Sequence, residues 1–310
     1  MLFQKNVPLS QYSNFRIGGP AKYFFEAKTV AQLQAAMQEA QLLNEPIFIL
    51  GGGFNLLIGD KGFAGAVIHP ALQGISVEEN NVVRVGAGLA VSQMLDFCLH
   101  HELIGFEWAG GLPGTVGGAI WGNAGAYGGE TKDRIIEVVS VNSDGAIVRR
   151  DKEQCKFNYR TSVFKIEAQP EVIVEATFRL EKGTRAALHE AIEHKKQNRR
   201  EKHPLEYPNA GSIFKNVPVE KVPRSVGESF SSKIKNDPFP VVPTAVLVAA
   251  AGLKEYRVGG AMVSPKHSNF IVNMGGATAA DVKAVMEHVK GVVGEKFGVE
   301  LEQEVIFVGE

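Results

Sequence analysis

The sequence predicts an α+β protein of two domains, and three observations predict it. Strand and helix patterns alternate at the start, short turn-linked strands fill the middle, and a long amphipathic helix comes near the end. At 310 residues the chain is long enough for two separate cores.

The residues up to Gly19 read as irregular, and Tyr23 to Glu26 as a short strand. Thr29 opens a helix, with Gln32 as its capping-box partner and Leu33, Met37 and Ala40 as its apolar stripe. Ile47 to Leu50 is a strand that runs straight into Gly51-Gly52-Gly53. Short strands follow at Ala66–His69, Ile75–Glu78 and Val82–Gly86, and Asn80-Asn81 turns between the last two. A helix over Ser92–Glu102 turns Met94, Leu95, Cys98 and Leu99 inward. Ile135–Asn142 and Ile147–Arg150 form a hairpin across Ser143-Asp144-Gly145, and Glu171–Leu180 is a further strand. A helix over Arg185–Glu201 is basic in its second half, either a solvated face or a positive rim for a diphosphate. Pro204 and Pro208 end it. Residues 217–243 hold five prolines and few apolar repeats, which predicts a long, irregular surface loop. Thr244–Ala251 reads as helix. Thr278 opens the strongest helix, with Asp281 as capping partner and Val282, Val285, Met286, Val289, Val293 and Phe297 on one face. Glu304–Val308 is the last strand.

Composition excludes several classes. A net charge of −1 gives no basic surface in total, so no nucleic-acid partner is expected. Two cysteines, Cys98 and Cys155, lie in no metal-like spacing and fit buried thiols in a reducing compartment. No stretch approaches a membrane span and the first residues lack the apolar core of a signal peptide, so a cytoplasmic protein is expected.

Gly110 to Glu130 is the densest signal, with nine glycines in 21 residues. A flexible linker would not contain Leu112, Pro113, Val116, Ile120 and Trp121. The run is therefore ordered, as a structural loop or as a backbone bed for a phosphate. The glycine clusters have neither the spacing of a dinucleotide-binding βαβ unit nor that of a P-loop. Several loops converging on one extended phosphate ligand is the better picture, and a flavin dinucleotide would fit it. A serine hydrolase is excluded by the lack of a nucleophile elbow.

Seven motifs then occur in order: SNFRIGGPA (13–21), GGGFNLLI (51–58), GLPGTVGGAIWGNAGAYGGE (111–130), NYRTSVFK (158–165), NAGSIFKN (209–216), AGLKEYRVGGAMVSPKHSNFIVN (251–273) and GVELEQEV (298–305). Together they resemble the UDP-N-acetylenolpyruvoylglucosamine reductase (MurB) family across nearly the whole chain, and its shorter, type II branch in particular. The resemblance implies an FAD-binding region of the PCMH/vanillyl-alcohol-oxidase type over 1–182, in two parts of about 1–68 and 69–182. A smaller α+β substrate-binding domain over 183–310 would follow. It implies NADPH-dependent, FAD-mediated reduction of UDP-GlcNAc-enolpyruvate to UDP-N-acetylmuramate, by a monomer without a metal.

The resemblance also carries residue roles. Arg160 matches the arginine that holds the substrate carboxylate, Ser212 the proton donor, and Glu304 its acidic partner. If Glu304 is buried, its pKa should rise enough to keep it protonated. Gly51, Gly52, Gly53, Asn55, Leu56, Gly114, Thr115, Gly118, Asn123 and Ala124 are expected to bind FAD, with Arg16 and Gly18 as weaker candidates. Tyr159, Lys202, Asn216 and Lys254 are expected at the substrate. Read without the resemblance, Arg160 is a surface arginine, Ser212 a turn serine and Glu304 an exposed strand carboxylate.

Three departures bear on the assignment. Phe54 stands where the family has serine, which removes a hydroxyl contact to the pyrophosphate. Gln303 replaces a proline and loosens the expected placement of Glu304. Residues 217–243 look longer and more irregular than the family connection. Another FAD oxidoreductase of the same fold, or a non-catalytic nucleotide-sugar or flavin binder, stays open from sequence alone.

Overall fold

The computed structural model describes residues 2–167 and 171–310. Its contacts gather the chain into two compact units. The first comprises the segment ending at Val7, then Ala21–Gly52 and Ala64–Asn198; the second comprises Pro8–Pro20, Gly53–Phe63 and Arg199–Glu310. The partition expected at 182/183 followed chain order, and the compact units do not. Phe15, Ile17 and Leu57 are buried in the core of the second unit, which draws their segments there. No local pattern announces this, because the partner of strand Leu56–Ile58 is strand Ile306–Val308 at the other end of the chain, paired in parallel with Ile306 opposite Leu56.

In the first unit, a four-stranded sheet has the order Gln4–Pro8, Pro20–Ala27, Phe63–Pro70, Ile47–Ile49. The last two strands run parallel. Thr29 caps helix Val30–Leu42 by accepting from Gln32 N at 3.2 Å, while the Gln32 side chain reaches back to Lys28 N at 2.8 Å. A five-stranded antiparallel sheet has the order Ile147–Asp151, Ile135–Val141, Val172–Arg179, Val82–Gly86, Ile75–Glu78. It is covered on both faces. Val139, Val141, Val172 and Val174 pack with Leu33, Ala36, Met37 and Ala40. Val138, Ala176 and Phe178 pack with Met94, Leu95 and Cys98 of helix Val91–His101 and with Val116 and Ile120 of the glycine-rich run. Along Val172–Arg179 residues of one parity serve both cores, because a register shift against Ile135–Val141 between Glu175 and Ile173 changes the face they present. Cys98 and Cys155 are free and buried, and burial pushes both thiols up to about 12.

In the second unit, a four-stranded sheet has the order Asn209–Ser212, Phe270–Asn273, Ala261–Val263, Arg257–Val258. Helix Ala279–Phe297 shares its core through Val282, Val285, Met286, Val289 and Val293. Residues 217–243 correct the sequence expectation of an irregular loop. They form strands Val217–Pro218, Lys235–Asn236 and Pro240–Val242, joined as a three-stranded sheet, and helix Arg224–Ser229. Val217, Val222 and Val242 are buried in the core. Two of the five prolines start helices: Pro223 and Pro243 are the N-cap residues of helices Arg224–Ser229 and Thr244–Ala250. At a helix start the missing N–H costs nothing. Among the described residues, no helix is long and apolar enough to cross a membrane.

Helix Ala279–Phe297 is capped twice at its N-terminus. Thr278 and Asp281 form the predicted reciprocal box, each backbone N–H donating to the other side chain at 3.0 Å. Asp60 adds a carboxylate that accepts from Ala279 N at 2.8 Å and Ala280 N at 3.1 Å. Gly298, at φ 61°, closes the C-terminal end. We predict that Asp60→Ala lowers stability by about 1 kcal/mol, since two first-turn donors lose their acceptor. Urea unfolding of the variant checks this, and an unchanged midpoint would show that water replaces the cap.

Candidate active site

In the first unit, strand Ile47–Ile49 ends at Leu50, and Gly51 and Gly52 continue from it onto a second loop. A Cβ on Gly52 would lie 2.8 Å from Gly114 Cα and 3.1 Å from Thr115 N, and one on Gly51 would lie 3.4 Å from Thr115 Oγ1. Thr115 caps helix Val116–Trp121 by accepting from Gly118 N at 3.3 Å. That helix sits on the loop after strand Val82–Gly86: Val116 N donates to Leu89 O at 2.9 Å and Gly117 N to Ala87 O at 2.8 Å. The backbone N–H groups of Gly51, Gly52, Gly114 and Thr115 donate to no atom among the described residues. All four residues are half-buried. Backbone donors on two touching loops, with no side chain between them, form a nest for an anion. This donor set fits the pyrophosphate of FAD.

Not every expected cofactor residue has that character. Gly53 is buried against backbone, where a Cβ would fall 1.7 Å from Tyr12 O. Asn123 is fully buried, and its amide is spent inside the protein on Asn158 O, Glu130 Oε1 and Lys132 N. Ala124 donates to Ala119 O and accepts from Thr131 N. In the second unit, Asn55 sits at φ 59° and donates to Glu304 O at 3.2 Å, while its carbonyl accepts from Ile306 N at 3.0 Å. Leu56 is buried in its strand, Gly18 is packed on Ile58, and Arg16 is exposed.

Arg160 lies in the first unit, in a turn closed by Asn158 N to Thr161 O at 3.1 Å and Thr161 N to Asn158 O at 3.2 Å. It is half-buried, its Nη2 donates to Gly125 O at 2.9 Å, and its guanidinium lies 5.0 Å from the Tyr159 ring centre. Ser212 and Glu304 come together within the second unit. Glu304 N donates to Ile213 O at 2.8 Å, and Phe214 bridges Gln303 in antiparallel fashion. The carboxylate residue therefore faces the neighbour of the serine across one short ladder. Both residues are half-buried. Gln303 does not loosen the segment, because its side chain donates to Val305 O.

Lys202 and Lys254 are exposed, whereas Asn216 is tied to Thr244 N through its Oδ1 at 3.2 Å. Sequence reasoning passed over Asn269, whose amide donates to Phe214 O at 2.7 Å and accepts from Phe214 N at 3.0 Å. It also passed over His203 and His267, which pack edge to face with each other at 5.4 Å and lie 5.0 and 4.7 Å from the ring of Phe270, the ladder partner of Ser212. Burial pushes both imidazoles down to about 4; the His267 ring and nearby cations add to the effect on His203, and Lys235 adds to it on His267. They are neutral at pH 7.

A family model described as the C-terminal domain of UDP-N-acetylenolpyruvoylglucosamine reductase matches residues 203–308, and one described as an FAD binding domain matches residues 21–151. The UDP-N-acetylenolpyruvoylglucosamine reductase of Lachnoclostridium phytofermentans is 41% identical, over 98% of this chain and 92% of that protein. The one from Caldanaerobacter subterraneus subsp. tengcongensis is 38% identical over 98% and 93%. The crystal structure of UDP-N-acetylenolpyruvylglucosamine reductase (MurB) from Thermus caldophilus superposes with a TM-score of 0.78 at 27% identity, over 99% of each chain.

Two outcomes are expected. Gly52→Ala should force the two loops apart and weaken FAD binding by about tenfold, since displaced backbone costs about 1–3 kcal/mol. Flavin fluorescence titration measures this, and an unchanged affinity would remove Gly52 from the cradle. The second concerns pH. The unfolded chain takes up protons below the ordinary imidazole value of 6.5, while folded His203 and His267 resist them down to about 4. Their contribution is therefore full above that ordinary value and is lost as pH falls through the window. Urea midpoints across it should decline, and His267→Gln should flatten the decline; an identical slope in the variant would contradict the assignment.

Proposed function

We propose residue roles from one premise: the chain belongs to the UDP-N-acetylenolpyruvoylglucosamine reductase family. It is an FAD-dependent oxidoreductase that reduces UDP-N-acetylglucosamine enolpyruvate to UDP-N-acetylmuramate in peptidoglycan precursor synthesis, with NADPH as reductant. Bound FAD supplies the hydride chemistry. The chain's own residues bind, orient and move the proton.

Arg160 holds the substrate carboxylate, next to which negative charge grows as the double bond is reduced. A preorganised cation is worth most where charge develops, and a guanidinium fork matches a carboxylate in two-point geometry. Ser212 delivers the proton to the carbon beside that carboxylate. A hydroxyl is a weak acid in water, so this role needs tight placement and exclusion of solvent. Glu304 steadies the charge next to Ser212 by hydrogen bonding. Lys202 and Lys254 supply positive charge for the substrate diphosphate, and Tyr159 and Asn216 shape the substrate's surroundings. Gly51, Gly52, Gly114 and Thr115 hold the FAD pyrophosphate through backbone donors. One chain contains every residue named, so a monomer acting in the cytoplasm suffices.

The observation that supports these roles best is the Glu304–Ile213 backbone bond, which keeps the acid one ladder position from Ser212. The test is anaerobic stopped-flow absorbance on Ser212→Ala. NADPH should bleach its flavin at the normal rate, and reoxidation by UDP-GlcNAc-enolpyruvate should slow by about a hundredfold or more, the usual worth of a positioned proton donor. Equal losses in both half-reactions would refute the role of Ser212.

A further inference from the structure

The turn carrying Arg160 is held in a conformation its own residues disfavour. Arg160 sits at φ 55°, in the left-handed region where a residue with a Cβ is strained. Such strain persists only where the surroundings over-determine it. On one side, Ser162 Oγ donates to Trp121 O at 2.7 Å and Lys165 Nζ donates to Arg160 O at 2.9 Å. On the other side stands Asn123. It is fully buried and itself left-handed, at φ 41°.

Its one amide ties two segments. Nδ2 donates to Asn158 O at 3.0 Å, which fixes the turn bearing the Arg160 backbone. The same nitrogen donates to Glu130 Oε1 at 3.3 Å, and Oδ1 accepts from Lys132 N at 3.2 Å. Glu130 pairs with Gly125 in a two-residue hairpin, and Gly125 O is the acceptor for Arg160 Nη2 at 2.9 Å. Asn123 thus holds both the backbone that presents the guanidinium and the carbonyl that orients it. We infer that Asn123 is a positioning residue for Arg160, setting the guanidinium where it meets the substrate carboxylate. The inference rests on the reading of Arg160 as the carboxylate holder.

The test uses the FAD-loaded enzyme, with Asn123→Gly, Asn123→Asp, Arg160→Lys and the Asn123→Gly/Arg160→Lys double variant. Glycine and aspartate both tolerate the left-handed backbone, and aspartate keeps the acceptor for Lys132 N while removing the N–H donors. FAD content and flavin reduction by NADPH should stay within about twofold of the parent, the margin expected for independent sites. Reoxidation by UDP-GlcNAc-enolpyruvate should slow by about ten- to a hundredfold, as for a displaced substrate clamp. The double variant should be no slower than Arg160→Lys alone, within about twofold. Multiplying losses, a fall in FAD content, or equal slowing of both half-reactions would overturn the inference. Normal reoxidation in Arg160→Lys would overturn the reading of Arg160 and the inference with it. Slow Arg160→Lys beside normal Asn123 variants would overturn the inference alone. If Asn123→Gly does not fold, Asn123→Asp takes its place in the cycle. If neither folds, Asn123 is a folding residue and the inference falls.

Discussion

A side-chain amide donating to a backbone carbonyl far away in sequence is the interaction on which both units depend. Asn123 bonds to Asn158 O in the first unit. In the second, Asn14 bonds to Asn209 O, Asn55 to Glu304 O, Asn269 to Phe214 O and Asn273 to Phe15 O. Loops lack the ladder partners that satisfy strands and helices, and a buried carbonyl left unpaired costs free energy. Asparagine suits the task because its short amide both donates and accepts, and because its backbone tolerates the left-handed region. Asn55 and Asn123 use both properties, at φ 59° and 41°.

Glycine does the complementary work. Where an amide holds two segments together, a missing Cβ lets two backbones touch. A Cβ on Gly117 would lie 2.9 Å from Ala87 Cβ, so helix Val116–Trp121 can rest on the preceding loop only with glycine there. The same close approach at Gly52 brings its backbone against that of Gly114 and Thr115. An anion site made of main chain alone is insensitive to most side-chain changes.

Much of this was legible in the sequence, and what was not has a physical cause. Capping chemistry is local, so the Thr278–Asp281 box and the Thr29 cap appeared as read. Turn chemistry is local too: Gly145 takes φ 81° in the predicted hairpin, and Asn80 and Asn81 are both left-handed. The assignment of segments to units was not legible, because strand Leu56–Ile58 finds its partner at Ile306–Val308, and such a pairing leaves no mark on either strand. Residues 217–243 misled for another reason. Five prolines and few apolar repeats predict a loop there, although Pro223 and Pro243 stand where a helix begins. Of the candidate site, the motifs pointed to positions without showing their tasks. Asn55 and Asn123 were expected at the flavin, and the structure engages their side chains in holding backbone.

The distinction between holding and reacting explains why the charged members of the candidate site are so few. A buried charge needs compensation, whereas a neutral amide can be fully buried once its bonds are made. Asn123 is fully buried, while Arg160, Ser212 and Glu304 are only half-buried. His203 and His267 follow the same logic: burial beside cations drives them neutral, and as uncharged rings they pack against Phe270 without an ion partner. Where charge is buried behind the reacting residues it comes paired, as buried Glu130 does with Lys132.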